Sequence, residues 1–420
     1  MQCFYLREYG YIRVGQPAQI SLDEIQLKQA DVDYLHLLNQ KKLSHTQHQK
    51  AIFKGDQRGL YSQNMLGVIV LPSGICLELL PKLESESVAA LKQALWQMIR
   101  HTQGLKGRQI GVGYFKRQGS VLEALYSEFL VQVQQAFPHG LRQAYQTQAQ
   151  QQPVLRGKLD VAAYIRQGEA KQHLFPIRTD VLGAQQWPYP LLQAALQQVM
   201  RHTQQLALKQ RCHIYLTQQP VSALPKQWHS LKWPKTQFWQ QHRHLYDYCM
   251  AILQQQQGLS AAGQQLGISY LFASEQLFER YAAHALQQQL QLGLELHAQH
   301  QARYLGAYQQ RPVLKLRPDF VISTPRKVQL VCDAKWKQLD YFQFQPNLAR
   351  SDVYQMYAYS QAYQCDTVLI YPSLDTVATW SAIELQNQAK LWVLPLDLNT
   401  GQIQLDLEQH QALWAWLKST

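Results

Sequence analysis

Cysteine is scarce in this 420-residue chain, and its six copies are scattered without a Cys-x-x-Cys pair. Neither a zinc ribbon nor a disulfide framework is indicated, so reduced, buried thiols in a cytoplasmic protein are the expectation. Long hydrophobic runs are missing too. The longest apolar stretch, near Met65 to Leu71, falls far short of the roughly 20 residues of a membrane span. Met1 to Glu8 puts no apolar core behind a basic start, and no signal peptide is expected. A Gly-x-x-x-x-Gly-Lys-Ser/Thr loop is also absent. Arg156-Gly157-Lys158 lacks the following hydroxyl and the glycine-rich flank, so GTP binding by this chain alone is not expected. Charge is sparse, at 16 % of residues, and acid is the scarcer sign: 28 Asp and Glu against 40 Lys and Arg, for a net charge of +12.

That balance favours a polyanionic partner, through phosphate neutralisation and counterion release. The excess is concentrated: Gln301 to Arg350 holds nine Lys or Arg against three Asp. Nucleic acid is therefore the favoured substrate. Glutamine runs such as Gln254 to Gln257 read as exposed helix surface without a function.

A length of 420 residues allows two or three domains with proper cores. Residues 1–87 read as a small β-rich domain, with strand signals at Tyr11 to Gly15, Leu66 to Val70 and Gly74 to Lys82. The last two meet at Pro72-Ser73-Gly74 as a hairpin. Residues 88–259 read as a mostly helical middle region, largely helical from Val88 to Gln150 and helical again at about Pro190 to Lys209 and Lys235 to Gln257. A loop-like stretch lies between, around Leu155 to Asp160 and His173 to Arg178. Residues 260–420 read as an α/β core. Lys41 to Lys50, with Lys54 and Arg58, reads as a basic loop that reaches a partner or DNA, or as an ordinary solvated loop.

The chemistry concentrates in that last segment. Arg317-Pro318-Asp319-Phe320 lies in one strand pattern, Val313 to Ile322, and Asp333-Ala334-Lys335 closes the next, Val328 to Lys335. The turn is Ser323 to Lys327. Residues two apart on a strand share a face, so Asp333 and Lys335 point the same way, and Asp319 can meet them from the neighbouring strand. Two converging carboxylates are costly unless a divalent cation neutralises them. That arrangement suits phosphodiester hydrolysis, with Lys335 orienting a water or steadying the developing charge. Arg317, Arg326, Lys327 and Lys337 are candidate DNA contacts. Upstream, Ser274 to Tyr281 opens a helix with Ser274 as its N-cap. Downstream, Gln355 and Tyr359 lie four apart on one helix face after Asp352.

These residues resemble the PD-(D/E)xK nuclease signature. The resemblance implies a restriction-endonuclease-like core, a mixed central sheet flanked by helices, with Glu279 completing a metal site of Asp319 and Asp333. Gln355-x-x-x-Tyr359 resembles the mark of the RecB-like branch, where it borders the metal and the DNA. With Glu78 to Lys82, Leu155 to Asp160 and Leu369 to Pro372, the series is similar to the McrC family, nuclease subunits of modification-dependent restriction systems. That resemblance implies a Mg2+-dependent endonuclease, with Mn2+ a possible substitute. It implies a partner, an McrB-like hexameric AAA+ GTPase, which binds the GTP, recognises methylated cytosine and is stimulated by this chain. Residues 1–87 are the candidate docking part. A RecB-like repair nuclease with another motor, and a catalytically silent adaptor, are the competing readings.

Overall fold

The computed structural model describes residues 2–40, 51–56, 58–85, 87–107, 110–116, 119–141, 144–168, 173–183, 187–217, 223–253, 269–299, 303–339, 341–342, 345–374, 382–405 and 413. The Lys41 to Lys50 loop and the Gln254 to Gln257 run lie outside them. The chain forms two compact units, Met1–Ala124 with Gln255–Thr420, and Leu125–Gln254. The first unit is made from both ends of the chain.

Its organising element is a six-stranded mixed sheet, in the order Glu295–Ala298, Phe320–Ser323, Val328–Ala334, Asp366–Ser373, Lys390–Asp397 and Ile383–Glu384. Val328–Ala334, Asp366–Ser373 and Lys390–Asp397 run parallel to one another and are rich in Val, Leu and Ile, as strands covered on both faces must be. A parallel pair needs a crossover, and the helix Arg350–Tyr363 supplies it between Val328–Ala334 and Asp366–Ser373. The helix lays Met356, Tyr359 and Tyr363 onto Val331, Leu369, Tyr371 and Val393. That packing fixes which helix face looks toward the end of the Val328–Ala334 strand.

The N-terminal strands are real, and they form two sheets. Cys3–Arg7, Cys76–Leu80, Met65–Val70 and Ser269–Ala273 make one, with the expected hairpin joining its two middle strands. Tyr11–Val14, Glu24–Leu27, Gly59–Ser62 and Phe53–Asp56 belong to the other, with Ala18–Gln19 at its edge. Both share an apolar core that includes Phe4, Leu6, Ile12, Leu60 and Leu77. Lys54 is exposed on one of these strands. Gly67, at φ +136°, faces the Tyr270 carbonyl so closely that a Cβ would lie 1.9 Å from its oxygen. Only glycine lets the Ser269–Ala273 strand pair there. Ser269–Ala273 runs straight into the helix Ser274–Gln289, which packs beside the helix Val88–Thr102.

In the second unit, Ala144–Gln152 and Lys158–Leu159 flank Phe175–Gly183 in a three-stranded sheet. Asp160 caps the helix Val161–Arg166 through Ala163 N at 3.1 Å and accepts from Arg178 Nη2 at 2.8 Å. Helices Tyr189–His202, Leu206–Thr217, Gln237–Gln241 and His244–Leu253 follow.

Several expectations need correction. Val313 to Ile322 is not one strand: Leu314 takes φ +58°, and Leu316 to Asp319 separate Arg311–Lys315 from Phe320–Ser323. The two pieces pair with different partners. Val88 to Gln150 is not helical throughout, because pairing with Phe175–Gly183 draws Ala144–Gln152 into a strand despite its glutamines. The helix expected from Pro190 to Lys209 is broken at Thr203. Ser274 is the first helical residue rather than its N-cap; Ala273 precedes it and makes no side-chain cap.

A buried ion pair braces the first unit. Lys92 Nζ lies 3.1 Å from Glu78 Oε2 with both side chains at 1 % exposure or less. Glu78 Oε1 accepts from Val121 N at 2.8 Å, and Lys92 also donates to the Gly119 carbonyl at 3.1 Å. Burial raises the Glu78 pKa, and the ammonium opposes that rise. Lys92→Met leaves a buried carboxylate without its counter-charge. It should destabilise the protein by about 3–5 kcal/mol, whereas Glu78→Gln added to Lys92→Met should restore most of the loss. Urea unfolding of both variants checks this.

Candidate active site

The exit of the Val328–Ala334 strand gathers Asp319, Asp333, Lys335, Gln355 and Tyr359. Asp333 is the last buried polar group on that strand, at 2 % exposure. Asp319 sits just before its antiparallel neighbour, where its Oδ2 accepts from Ala334 N at 2.9 Å. The Asp319 carbonyl in turn accepts from Gln299 N at 2.7 Å. The carboxylate is thereby fixed beside Asp333 by backbone, not by a flexible partner. Lys335 N donates to the Ile370 carbonyl at 2.9 Å, which holds the residue after the strand in sheet geometry.

Lys335 Nζ sits against Asp333 Oδ2 as an ion pair and donates to Gln355 Oε1 at 2.9 Å. That buried Asp333 oxygen has the Lys335 ammonium as its partner. Gln355 Nε2 donates to the Tyr359 hydroxyl at 2.9 Å and reaches Asp333 Oδ1 at 3.4 Å. An ammonium can only donate, so the amide oxygen must face Lys335 and the amide nitrogen must face away. Gln355 therefore holds Lys335 in place, and Tyr359, whose pKa burial pushes up to about 12, holds Gln355.

Electrostatics set this cluster apart. Burial first, then the Asp333 charge, pushes the Asp319 pKa up to about 7, with Glu279 adding to the rise. Burial also raises Asp333, with the Lys335 ammonium pulling the other way. Two carboxylates held in each other's field, with a single ammonium beside them, fit a hard cation. Mg2+ is commonly bound through one or two carboxylates with waters filling its remaining positions.

Glu279 stands less close to that role. It lies on the helix Ser274–Gln289 and accepts from Gln299 Nε2 at 3.2 Å. Among the described residues, no group of three His, Cys, Asp or Glu is arranged to hold a metal. Glu279 thus acts on Asp319 through its field, and a third carboxylate ligand is not in place. The basic candidates also separate. Arg317 is exposed two residues before Asp319. Lys337 forms an ion pair with buried Asp352, which also accepts from the Tyr371 hydroxyl at 3.3 Å. Arg326 and Lys327 occupy the turn at the opposite end of the Val328–Ala334 strand, roughly 20 Å from Asp333 at strand rise.

Glu8 gave no signal in the sequence. Its Oε2 accepts from Trp336 Nε1 at 2.8 Å, although the two residues are 328 positions apart. Trp336 also packs on Phe278, with ring centroids 5.3 Å apart. Glu8 is 2 % exposed, and burial pushes its pKa up to about 7. A lone glutamate in an N-terminal strand pattern has no local spacing that could reveal such a contact.

A mixed α/β fold carrying a carboxylate pair, a lysine and a Gln-x-x-x-Tyr helix at one sheet edge defines the class. Comparison with known proteins narrows it. The family model for McrBC 5-methylcytosine restriction system components matches residues 60–372. The chain belongs to that family. Among solved structures, it is similar to a chain of the half-complex from the tetradecameric assembly of Thermococcus gammatolerans McrB AAA+ hexamers with bound McrC. The TM-score is 0.68 at 16 % identity, covering 94 % of this chain and 95 % of that one. A chain of the Thermococcus gammatolerans McrBC complex gives 0.49 at 14 % identity, covering 68 % and 87 %. No curated protein matches. No helix among the described residues is long and apolar enough to cross a membrane.

The raised carboxyls carry a consequence for stability. Asp319 titrates near pH 7 when folded against an ordinary value of 3.8, so it opposes folding once ionised. Its penalty is absent below about pH 4 and complete above about pH 7. In EDTA, Asp319→Asn should stabilise the protein at pH 8 by on the order of 2 kcal/mol, and the difference should vanish toward pH 4. Glu8 titrates in the same range and direction, and the difference between variant and parent removes its contribution. Thermal unfolding of both proteins across that range measures it.

Proposed function

We propose that this chain is the metal-dependent DNA endonuclease subunit of a GTP-driven, modification-dependent restriction complex, built on a restriction-endonuclease-like core. The observation that carries this reading is the linkage from Tyr359 through Gln355 to Lys335, which ends against the Asp333 carboxylate. A surface Asp-x-Lys pair has no need of such bracing. Membership of a 5-methylcytosine restriction family supports DNA as the substrate, and the net charge of +12 agrees with it.

Asp319 and Asp333 would hold Mg2+, or Mn2+ in its place, with Glu279 nearby as a charge rather than a ready ligand. The ion would supply Lewis acidity toward the scissile phosphate and its attacking water. Lys335 orients that water by hydrogen bonding and opposes the charge that grows on the phosphate oxygens. Gln355 and Tyr359 keep the ammonium at its post, and the buried strand behind Asp333 keeps bulk water from screening it. Arg317 is suited to a phosphate contact. Lys337 would have to leave Asp352 to make one.

An McrB-like hexameric AAA+ GTPase is the proposed partner. It binds the GTP, reads the methylated cytosine and moves on DNA, while this chain raises its hydrolysis rate. Support comes from the fold shared with a chain of the Thermococcus gammatolerans assembly and from the lack of a P-loop motif in this sequence.

Plasmid cleavage with the purified partner, GTP and Mg2+ is the test. Asp333→Ala should abolish cutting and leave stimulation of GTP hydrolysis intact. Lys335→Ala should lower cutting by about 10²-fold or more with DNA affinity retained, and Lys335→Arg should restore little, because a planar guanidinium cannot take the same position. Cutting at the parental rate in Asp333→Ala, or a loss of DNA affinity in proportion to activity in Lys335→Ala, overturns the catalytic assignment.

A further inference from the structure

One surface of the first unit has no role in the fold or in the carboxylate cluster. Tyr304–Tyr308 and Arg311–Lys315 form a two-stranded antiparallel hairpin that, among the described residues, joins no other sheet. Gln309 and Gln310 turn it, both at positive φ. Its register pairs Tyr304 with Lys315, Gly306 with Val313 and Tyr308 with Arg311. Alternation along a strand then puts both tyrosines and both cations on one face. Tyr304 is 42 % and Tyr308 68 % exposed, and Arg311 and Lys315 are exposed as well. Among the described residues neither cation finds a carboxylate partner. From Arg303 to Arg317 the sequence holds four Lys or Arg and no acid.

That face presents two cations and two exposed tyrosines around Gly306 and Val313. It has the chemistry of a phosphate-contacting one. Its base is fixed: Leu316 N donates to the Arg303 carbonyl at 2.9 Å, and Leu316 packs against the core cluster that contains Tyr359. Its first strand also approaches the Arg350–Tyr363 helix. Lys315 is four residues from Asp319, at most about 14 Å along the chain.

We infer that the Tyr304–Lys315 hairpin is a DNA-gripping ribbon that seats duplex DNA beside the carboxylate pair. A two-stranded ribbon is one of the shapes that the DNA major groove admits. Arg311 and Lys315 contact the phosphates flanking the groove, and Tyr304 and Tyr308 pack on sugar and donate hydroxyl hydrogen bonds. Arg317 continues the same basic track toward Asp319. The inference rests on the proposed nuclease function for its substrate only.

Fluorescence anisotropy of a labelled DNA duplex with the full chain in EDTA, across a salt series, tests it. Arg311→Ala with Lys315→Ala should weaken binding and reduce the slope of log affinity against log salt by about 1.8, from about 0.9 per lost phosphate contact. Tyr304→Ala with Tyr308→Ala should weaken binding with little change of slope. Arg311→Lys with Lys315→Arg should keep the parental slope, which a fold defect would not. A parental slope and affinity in the Arg311 and Lys315 double variant overturns the inference. So does loss of AAA+ ring binding with DNA affinity intact, because the hairpin is then a protein contact. A parent chain that binds duplex through the hairpin yet never cuts with its partner contradicts the nuclease reading and leaves the hairpin inference standing.

Discussion

Two carboxylates held side by side at a buried sheet edge are the constraint around which this site is arranged. Asp319 and Asp333 repel each other where little water screens them, and both are pushed toward their protonated forms. The fold nevertheless keeps them there. The Ala334 amide ties down one, and the Lys335 ammonium faces the other. Lys335 alone would be a mobile side chain with several rotamers. Gln355 removes that freedom, and Tyr359 removes it from Gln355. Each partner is answerable to the next, and the last is packed into the core.

Topology explains why the helix with Gln355 is where it is. The Val328–Ala334 and Asp366–Ser373 strands are parallel, so the chain must cross the sheet between them. The crossover helix begins at Arg350, after the chain has left the Val328–Ala334 strand and passed through Tyr341–Phe342 and Gln345–Pro346, and its buried face is fixed by Met356, Tyr359 and Tyr363. A charged cluster at the carboxyl end of a parallel strand, beside the crossover helix, follows from that wiring. The N-terminal strands contribute to the same edge. Glu8 takes the Trp336 indole, the residue between Lys335 and Lys337, and so braces the chain where it leaves the site. In the same unit, the buried Glu78–Lys92 pair holds the Val88–Thr102 helix against the four-stranded sheet.

Legibility in the sequence followed the range of the interactions. Asp333, Lys335, Gln355 and Tyr359 were readable because strand and helix periods are local, and the structure brings them together as the spacing implies. Asp319 was readable through its antiparallel neighbour. The strand assigned around it was too long, since a positive φ at Leu314 and the irregular Leu316 to Asp319 stretch divide one apolar run between two sheets. The Ala144–Gln152 strand is not legible locally, because its residues favour a helix and only pairing with a segment some thirty positions on overrides them. Glu8 and the composite first unit could not be read at all: they depend on contacts between the two ends of the chain, which no local pattern encodes.

The central claim is that the carboxylate pair is a cation site. Isothermal titration of Mn2+ or Mg2+ into the full chain near pH 7, in two buffers of different ionisation enthalpy, addresses it without any cleavage assay. Asp319 is about half protonated there, so binding should release protons as well as heat. Both signals should disappear in an Asp319→Asn, Asp333→Asn double variant that unfolds cooperatively. A parent chain that takes up no ion, or a double variant that binds it as well as the parent, would contradict the account.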